Sequence, residues 1–294
     1  MNIAKMFGEK VVFSFEVFPP KKDSGIESIY STIKDLKELN PDFISVTYGA
    51  GGSGAKNVDT AELCSLIKNE YGIETIAHLS CLYNTREMVD EILERLKDAK
   101  VDNILALRGD ITPGLETQND FQHASDLAEY IKSKDMGFHI SGACYPEVHQ
   151  EAEDMETDIE NLKKKVDAGV DHLISQLFFN NDDFYWFYEQ VQKAGINVPL
   201  EAGIMPVTNK SQIQRMVSMC GASIPIKLAK LLQRFGDDPI AMRDAGISYA
   251  IDQIINLVAS GVDGIHIYTM NDPYVAKKIT ESVHNIIGSD NLKK

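Results

Sequence analysis

The chain has 294 residues, 44% of them hydrophobic, with 44 acidic and 29 basic side chains and a formal net charge of −15. This apolar content is sufficient for one large core or for two domains. The negative charge excludes nucleic acids and anionic membranes as general partners, because both repel an acidic surface.

The start of the chain and its cysteines indicate a cytoplasmic protein. The first residues, M-N-I-A-K, lead into no long apolar segment, so no signal peptide is expected. No apolar run approaches the ~18 residues of a membrane span. The four cysteines are widely spaced and form no C-x-x-C pair, which predicts reduced thiols; they are Cys64, Cys81, Cys144 and Cys220.

Short segments rich in Val, Ile, Leu and Phe alternate with amphipathic helical segments along the whole chain. The predicted strands resemble buried parallel strands and cover 11–17, 43–48, 74–80, 102–107, 138–144, 172–178, 198–204 and 264–269. Predicted helices cover 26–39, 58–71, 85–99, 121–134, 154–168, 181–194, 211–219 and 273–287. A longer helical insertion, at about 225–260, precedes the last strand and is interrupted at Gly236-Asp237-Asp238-Pro239.

Eight predicted strands, each followed by a helix, indicate a (β/α)₈ TIM barrel that forms a single domain over residues 1–294. An open, doubly wound sheet is the alternative, but no G-x-G-x-x-G motif follows the first predicted strand. The active site of such a barrel lies at the carboxyl ends of its strands. Polar residues predicted there are Glu16, Thr47, His78, Arg108, Asp110, Tyr145, Gln176 and Asn271.

Glu16 is a carboxylate inside the apolar segment S-F-E-V-F. Strand alternation places it on one face with Ser14 and Phe18, pointing into the barrel mouth. An apolar environment favours the protonated form of a carboxyl, which suits a general acid. A structural carboxylate, bonded to a backbone amide or a buried lysine, is an equally good interpretation of its position.

The triplet Arg108-Gly109-Asp110 follows the fourth predicted strand and offers a guanidinium, a permissive backbone and a carboxylate within one turn. The glycine allows a ligand to approach the main chain. The alternative is a plain loop with a local ion pair between the arginine and the aspartate.

Three further segments carry side chains suited to a flat, anionic ligand. Tyr145 can stack on a ring, His149 can bind a phosphate or ribose oxygen, and Gln176 can pair with the edge of a heterocycle. Spacings of three and four place a possible ribose and pyrophosphate set on one face of helix 154–168: Asp158, Asn161 and Lys165. Each of these signals also has a non-functional interpretation. His149 can be an ordinary loop histidine, Gln176 can bond to a neighbouring side chain inside the barrel, and the face of helix 154–168 can simply be solvated.

No metal site is expected, because the seven histidines are scattered and no H-E-x-x-H occurs. Hydrolytic chemistry lacks a nucleophile, since no G-x-S-x-G elbow is present.

Nine motifs taken together resemble the methylenetetrahydrofolate reductase family in its bacterial, catalytic-barrel form, from about residue 11 to 287. They are S-F-E-V-F-P-P, S-V-T-Y-G-A, A-H-L-S-C, A-L-R-G-D-I-T-P-G, A-C-Y-P-E-V-H, N-L-K-K-K-V-D-A-G, S-Q-L-F-F, G-I-M-P-V-T-N and I-Y-T-M-N. The resemblance implies an FAD enzyme that reduces 5,10-methylenetetrahydrofolate to 5-methyltetrahydrofolate by ping-pong hydride transfer from NADH or NADPH. It also implies a homo-oligomer that serves one-carbon metabolism, including methionine biosynthesis.

The resemblance further implies roles for individual residues. Glu16 matches the general acid that protonates N10 and opens the imidazolidine ring, and Asp110 matches a carboxylate near the flavin and the pterin. Gln176, Gln212 and Met216 match substrate-contacting positions. The positions that match FAD contacts are Thr47, His78, Arg108, Gly109, Asp110, His123, Ala124, Tyr145, His149, Asp158, Asn161 and Lys165.

Three positions depart from the family pattern. His123 stands where a tyrosine can occur, and Met216 stands where a phenylalanine can stack on nicotinamide and folate. Asp272 stands where an arginine can bind the folate tail, which leaves Lys227 and Lys230 as candidate tail contacts.

Three alternatives to this enzyme follow. The Met216 departure suggests the same flavoprotein with electrons supplied by a partner carrier subunit. The other two are a non-catalytic accessory barrel that binds folate or flavin, and an aldolase-type or hydrolytic barrel.

Overall fold

The structure is a computed structural model, and it describes residues 1–20, 26–48, 60–112 and 114–288. The strands are β1 Val12–Val17, β2 Phe43–Val46, β3 Glu74–Ser80, β4 Asn103–Leu107, β5 His139–Cys144, β6 His172–Ser175, β7 Leu200–Ile204 and β8 Gly264–Tyr268. The helices are α1 Ile26–Lys37, α2 Thr60–Asn69, α3 Arg86–Asp98, α4 Ala124–Ser133, α5 Met155–Asp167, α6 Asn181–Lys193, α7 Lys210–Cys220, α8 Ile226–Phe235, α9 Pro239–Ala259 and α10 Pro273–Ile287, after a short 3₁₀ turn at Ile3–Met6.

The strands form a closed barrel in the order β1 to β8, which confirms the predicted (β/α)₈ architecture. The strand pairs with a described register are parallel, for example Glu16 beside Ser45 and His78 beside Leu105. The strands are buried almost throughout, as the continuous apolar segments of the sequence predict.

The chain divides into two compact units. The first consists of Met1–Lys5, Ser14–Ala143 and Lys164–Leu173, and the second of Met6–Phe13, Cys144–Lys163 and Ile174–Lys294. A single domain over residues 1–294 stays a prediction.

The helical insertion before β8 is interrupted where the sequence predicts. Helix α8 ends at Phe235, and α9 begins at Pro239. The Asp238 carboxylate accepts hydrogen bonds from the backbone N–H groups of Ile240 and Ala241. A carboxylate cap followed by proline satisfies the first exposed N–H groups of a helix, so the local sequence fixes this boundary.

Two glycines of the second unit allow close packing around β7. A Cβ on Gly203 would lie 2.3 Å from the backbone oxygen of Ser175 and 2.6 Å from the Tyr268 hydroxyl. A Cβ on Gly246, in α9, would lie 1.8 Å from the backbone oxygen of Val207. Only glycine fits at these two points, and the second holds the segment that leads into α7.

No helix within the described ranges combines the length and the apolar content that a membrane crossing requires. Among the same residues, no group of three or more His, Cys, Asp or Glu side chains could hold a metal ion. The four cysteines all lie in the described part of the chain, and none of them forms a disulfide.

Candidate active site

Glu16 lies near the carboxyl end of β1 and contacts a histidine from β3. Its Oε2 atom is 3.6 Å from His78 Nε2, and the two side chains are 20% and 6% exposed. This separation is longer than a hydrogen bond but within ion-pair distance. The structure therefore brings together an acid and a nearly buried imidazole that the sequence placed on separate strands.

The loop after β4 is fixed to the loop after β3 by backbone hydrogen bonds. The N–H groups of Cys81 and Leu82 donate to the carbonyls of Leu107 and Arg108. Gly109 has φ +90°, and a Cβ there would lie 3.2 Å from Ser80 Cβ. This left-handed conformation at close quarters explains why glycine stands between Arg108 and Asp110.

Arg108 is half-buried, and its Nε donates to the Gly109 carbonyl. Asp110 is exposed, and its backbone carbonyl accepts a hydrogen bond from the Tyr83 hydroxyl. The loop therefore presents the positive Arg108 and the negative Asp110 on a backbone that hydrogen bonds hold in place.

Cys81 lies beneath this loop, where its Sγ is within hydrogen-bonding distance of the carbonyls of Arg108 and His123. Burial raises the pKa of the Cys81 thiol to about 11, and the Asp126 charge adds to the effect. The thiol is therefore protonated at neutral pH and acts as a packing group.

His123 and Ala124 begin α4. The Asp126 carboxylate accepts a hydrogen bond from the His123 N–H, which fixes the start of the helix. The His123 side chain is exposed, whereas Ala124 is buried. Thr47, just after β2, is half-buried and held by its N–H, which donates to the Val17 carbonyl.

Lys165 lies on α5 and is half-buried, although a solvated helix face was an open interpretation of its position. Its Nζ donates to the Ala143 carbonyl at the end of β5, at 2.6 Å. A Cβ on Gly142 would lie 3.0 Å from Lys165 Cδ, so the glycine leaves space for the lysine stem. The ammonium is thus positioned by the main chain of β5.

In the second unit, the loop after β5 holds Tyr145 and His149 in edge-to-face contact, with ring centroids 4.6 Å apart. The His149 N–H donates to the Asp158 carboxylate, and the Glu151 N–H donates to His149 Nδ1. Because Nδ1 accepts, the neutral ring carries its proton on Nε2. Asn161, also predicted to contact the cofactor, is exposed on α5.

The three predicted substrate contacts lie on β6 and α7. Gln176 directly follows β6, which ends at Ser175, instead of lying inside the predicted strand 172–178. Its N–H still donates to the Cys144 carbonyl, but the Leu177 N–H donates to Gln176 Oε1 and is therefore not available to the ladder. Gln212 is exposed in the first turn of α7, and its N–H donates to the Asn209 cap. Met216 is half-buried and packs against the apolar cluster around Ile213, Ala222 and Leu228.

Asp272, which stands where the family can have an arginine, caps α10. Its carboxylate accepts from the Val275 N–H, and Pro273 follows it. A helix N-terminus stabilises this negative charge, so the residue has a structural role of its own.

Glu147 is a residue that sequence reasoning missed. It lies between Tyr145 and His149, and its Oε2 accepts a hydrogen bond of 2.8 Å from the Ser223 N–H. Burial raises the pKa of the Glu147 carboxyl, and the Asp183 charge adds to this. The only signal in the sequence is its place just after a strand end, which does not distinguish a buried carboxylate from a solvated one.

Comparisons with known proteins agree with the resemblance that the motifs indicate. The model of the family described as "Methylenetetrahydrofolate reductase" matches residues 2–284. The 5,10-methylenetetrahydrofolate reductase of Buchnera aphidicola is 38% identical over 279 residues, which cover 94% of this chain and 91% of the relative. Methylenetetrahydrofolate reductase (NADH) 1 of Arabidopsis thaliana is 36% identical, but the match covers 89% of this chain and only 46% of the plant protein.

The chain thus spans about half the length of the plant relative and nearly all of the bacterial one. A solved structure of a Clostridium thermocellum protein, described as binding two copies of 5-methyl-5,6,7,8-tetrahydrofolic acid, aligns over 95% of this chain and 96% of that one. Its TM-score is 0.62 at 13% identity, which shows a shared fold. The chain belongs to the methylenetetrahydrofolate reductase family.

Proposed function

We propose that this member of the methylenetetrahydrofolate reductase family reduces 5,10-methylenetetrahydrofolate to 5-methyltetrahydrofolate, with FAD as cofactor and NADH or NADPH as electron donor. The observation that carries the proposal is the Glu16 carboxylate, 3.6 Å from a nearly buried histidine near the carboxyl end of β1. The family match over residues 2–284 supports the folate as substrate. The name of the plant relative, methylenetetrahydrofolate reductase (NADH) 1, supports NADH as donor.

The first unit carries features that fit FAD. Gly109, with φ +90°, exposes its backbone beside the half-buried Arg108, and Lys165 adds a second cation. Two cations suit the pyrophosphate of a dinucleotide in a chain of net charge −15. We assign Thr47, His78, Arg108, Gly109, Asp110, His123, Ala124 and Lys165 as the contacts of this unit. When bound, the flavin would supply hydride transfer from nicotinamide to folate.

Four residues of the second unit are candidate cofactor contacts on the family resemblance. His149, through its protonated Nε2, would donate to a phosphate or ribose oxygen of the cofactor, and Tyr145 would offer an aromatic face. The Asp158 carboxylate holds the His149 backbone, so it positions this histidine. Asn161 lies exposed on the same helix and would offer its amide to a ribose hydroxyl.

Glu16 is assigned as the general acid. The ring-closed folate is a poor hydride acceptor, and a proton on N10 allows the five-membered ring to open to a 5-iminium cation. Glu16 donates this proton, and its partly exposed position lets solvent replace the proton after each turnover. The exposed Asp110 stabilises the positive charge that develops on the substrate.

Gln176 and Gln212 are assigned to folate recognition. Gln176 Oε1 accepts from the Leu177 N–H, which orients the side chain, and the NH₂ group of the amide can donate to a ligand. Met216 provides a flexible apolar contact, and its packing against the α7–α8 cluster limits how far it can follow a flat ring.

This packing of Met216 also favours a second candidate, in which a partner carrier subunit supplies electrons to the same flavoprotein. In the family pattern a phenylalanine at this position can stack on nicotinamide, whereas Met216 packs against the apolar cluster. A cytoplasmic homo-oligomer that serves one-carbon metabolism and methionine biosynthesis completes the proposal.

Steady-state kinetics test the proposed function. The purified chain, reconstituted with FAD, is expected to oxidise NADH or NADPH in the presence of methylenetetrahydrofolate. Double-reciprocal plots are expected to be parallel, because both substrates react in turn at one cofactor. If the enzyme reduced the folate after reduction by dithionite, but not with NADH or NADPH, the partner-carrier candidate would be favoured. Failure of reduced enzyme to convert the folate would contradict both.

A further inference from the structure

We propose that Glu147 is a positioning residue that ties the loop after β5 to the carboxyl-terminal end of α7, and so sets the affinity for folate and nicotinamide. The identity of these two ligands rests on the proposed function, whereas the tie itself rests on geometry alone.

Two hydrogen bonds form the tie. Glu147 Oε2 accepts from the Ser223 N–H at 2.8 Å, just beyond the end of α7. Gln150 Nε2 donates to the Met219 carbonyl, at 3.1 Å, in the last turn of the helix. The Gln150 side chain also packs against Gly221, where a Cβ would lie 3.1 Å away.

Helix α7 is anchored on one side only. Among its residues Lys210–Cys220, all of them described, Ile213 alone is fully buried, and Met216, Val217 and Cys220 are partly buried against the same apolar cluster. A helix that buries little apolar surface opens at low free-energy cost, so polar contacts have a large share in holding it. Gln212 and Met216, assigned to the substrates, lie on this helix.

The loop that carries Glu147 is itself strained. Val148 has φ +72°, a left-handed conformation that β-branched residues rarely adopt. Such a conformation persists only where the neighbouring contacts impose it. Two such contacts flank Val148. The Ser223 N–H donates to the Glu147 carboxylate before it, and the His149 N–H after it donates to the Asp158 carboxylate. The Val148 N–H also donates to the Tyr145 carbonyl within the same turn, so local and long-range bonds together hold this conformation.

The charge state of Glu147 sets the strength of the tie. Its Oε1 is buried and has no hydrogen-bond partner within the described part of the chain, so Oε1 carries the proton when the carboxyl is neutral. Oε2 accepts from Ser223 in either state, but the bond is stronger to the ionised group. The titratable groups that face Glu147 are Asp183, on α6, and Cys220, whose own pKa is raised by burial and by the Glu147 charge.

Glu147→Gln separates positioning from a merely structural role. Glutamine keeps an acceptor for Ser223 but cannot ionise, so KM for both substrates is expected to rise about five-fold, with kcat and FAD affinity within about two-fold. The melting temperature is expected to stay the same or rise, because a desolvated charge is removed. In the wild type, KM is expected to rise as pH falls through the raised pKa of Glu147, a dependence that the variant lacks. The exposed Glu153→Gln, in the same loop, is the matched control.

Hydrogen exchange measures the tie without reference to activity. Amides of residues 210–225 are expected to exchange faster in Glu147→Gln than in the wild type, while amides of β5 are unchanged. The exposed Gln150→Ala removes the second bond and is expected to act in the same direction. Unchanged exchange in both variants would overturn the tie. Faster exchange with unchanged KM would overturn its role in affinity, and a wild type that cannot reduce the folate would overturn the proposed function instead.

Discussion

Glu16→Gln is expected to slow methylenetetrahydrofolate reduction by about 10³-fold, within the range that general acid catalysis contributes. Glutamine has the shape of glutamate but no acidic proton, so N10 stays unprotonated and the folate ring stays closed. Reduction of the flavin by NADH needs no such proton and is expected to change by less than about three-fold. Rapid-mixing absorbance measurements of the two half-reactions, taken separately, check this result.

The matched control for this variant is Glu9→Gln, an exposed carboxylate that precedes the amino end of the same strand. Both half-reactions of the control are expected to match the wild type. An equal loss in the two half-reactions of Glu16→Gln would indicate damage to the cofactor site, and a folate rate within about ten-fold of the wild type would remove Glu16 as the acid.

Gly246→Ala is expected to lower the free energy of unfolding by about 3 kcal/mol or more, the upper range for overpacking a core. The added Cβ would lie 1.8 Å from the Val207 oxygen and 2.5 Å from the Val207 carbonyl carbon. Both are main-chain atoms, so no side-chain rotation relieves the contact and α9 or the segment before α7 must move. Denaturant unfolding followed by circular dichroism measures the loss.

Ser248→Ala, on the exposed side of the same helix, controls for the chemistry of a small substitution. Alanine is a better helix former than serine, so its effect is expected to stay within about 0.5 kcal/mol. A stable Gly246→Ala variant would mean that the two elements are farther apart than the structure has them.

The architecture could be predicted from the sequence because local signals agree with the global fold. Each predicted strand is an apolar segment, and each lies in the barrel with its end displaced by a few residues at most. The break between α8 and α9 could be predicted from Asp238 and Pro239, because an aspartate favours the N-cap position and a proline favours the first position of a helix. The sixth strand ends earlier than predicted because the Leu177 N–H bonds to the Gln176 side chain, a local event that apolar patterning does not report.

The partners of the candidate site residues could not be predicted. The bonds of Lys165 to Ala143 and of Glu147 to Ser223 join residues far apart in the sequence, and no periodicity encodes them. The burial of Glu147 and the backbone conformation of Val148 also depend on the assembled fold. Sequence motifs therefore proposed most of the candidate residues, while the contacts that orient them required the structure.

The visible absorption spectrum of the purified chain under anaerobic conditions, after incubation with FAD, tests the central claim most directly. We expect flavin bands that bleach on addition of NADH or NADPH and return on addition of methylenetetrahydrofolate, with 5-methyltetrahydrofolate formed in equal amount. Bands that bleach only with dithionite, and then return with the folate, would assign the donor to a partner subunit. A chain that binds no flavin, or whose reduced flavin does not react with the folate, would contradict the proposed function.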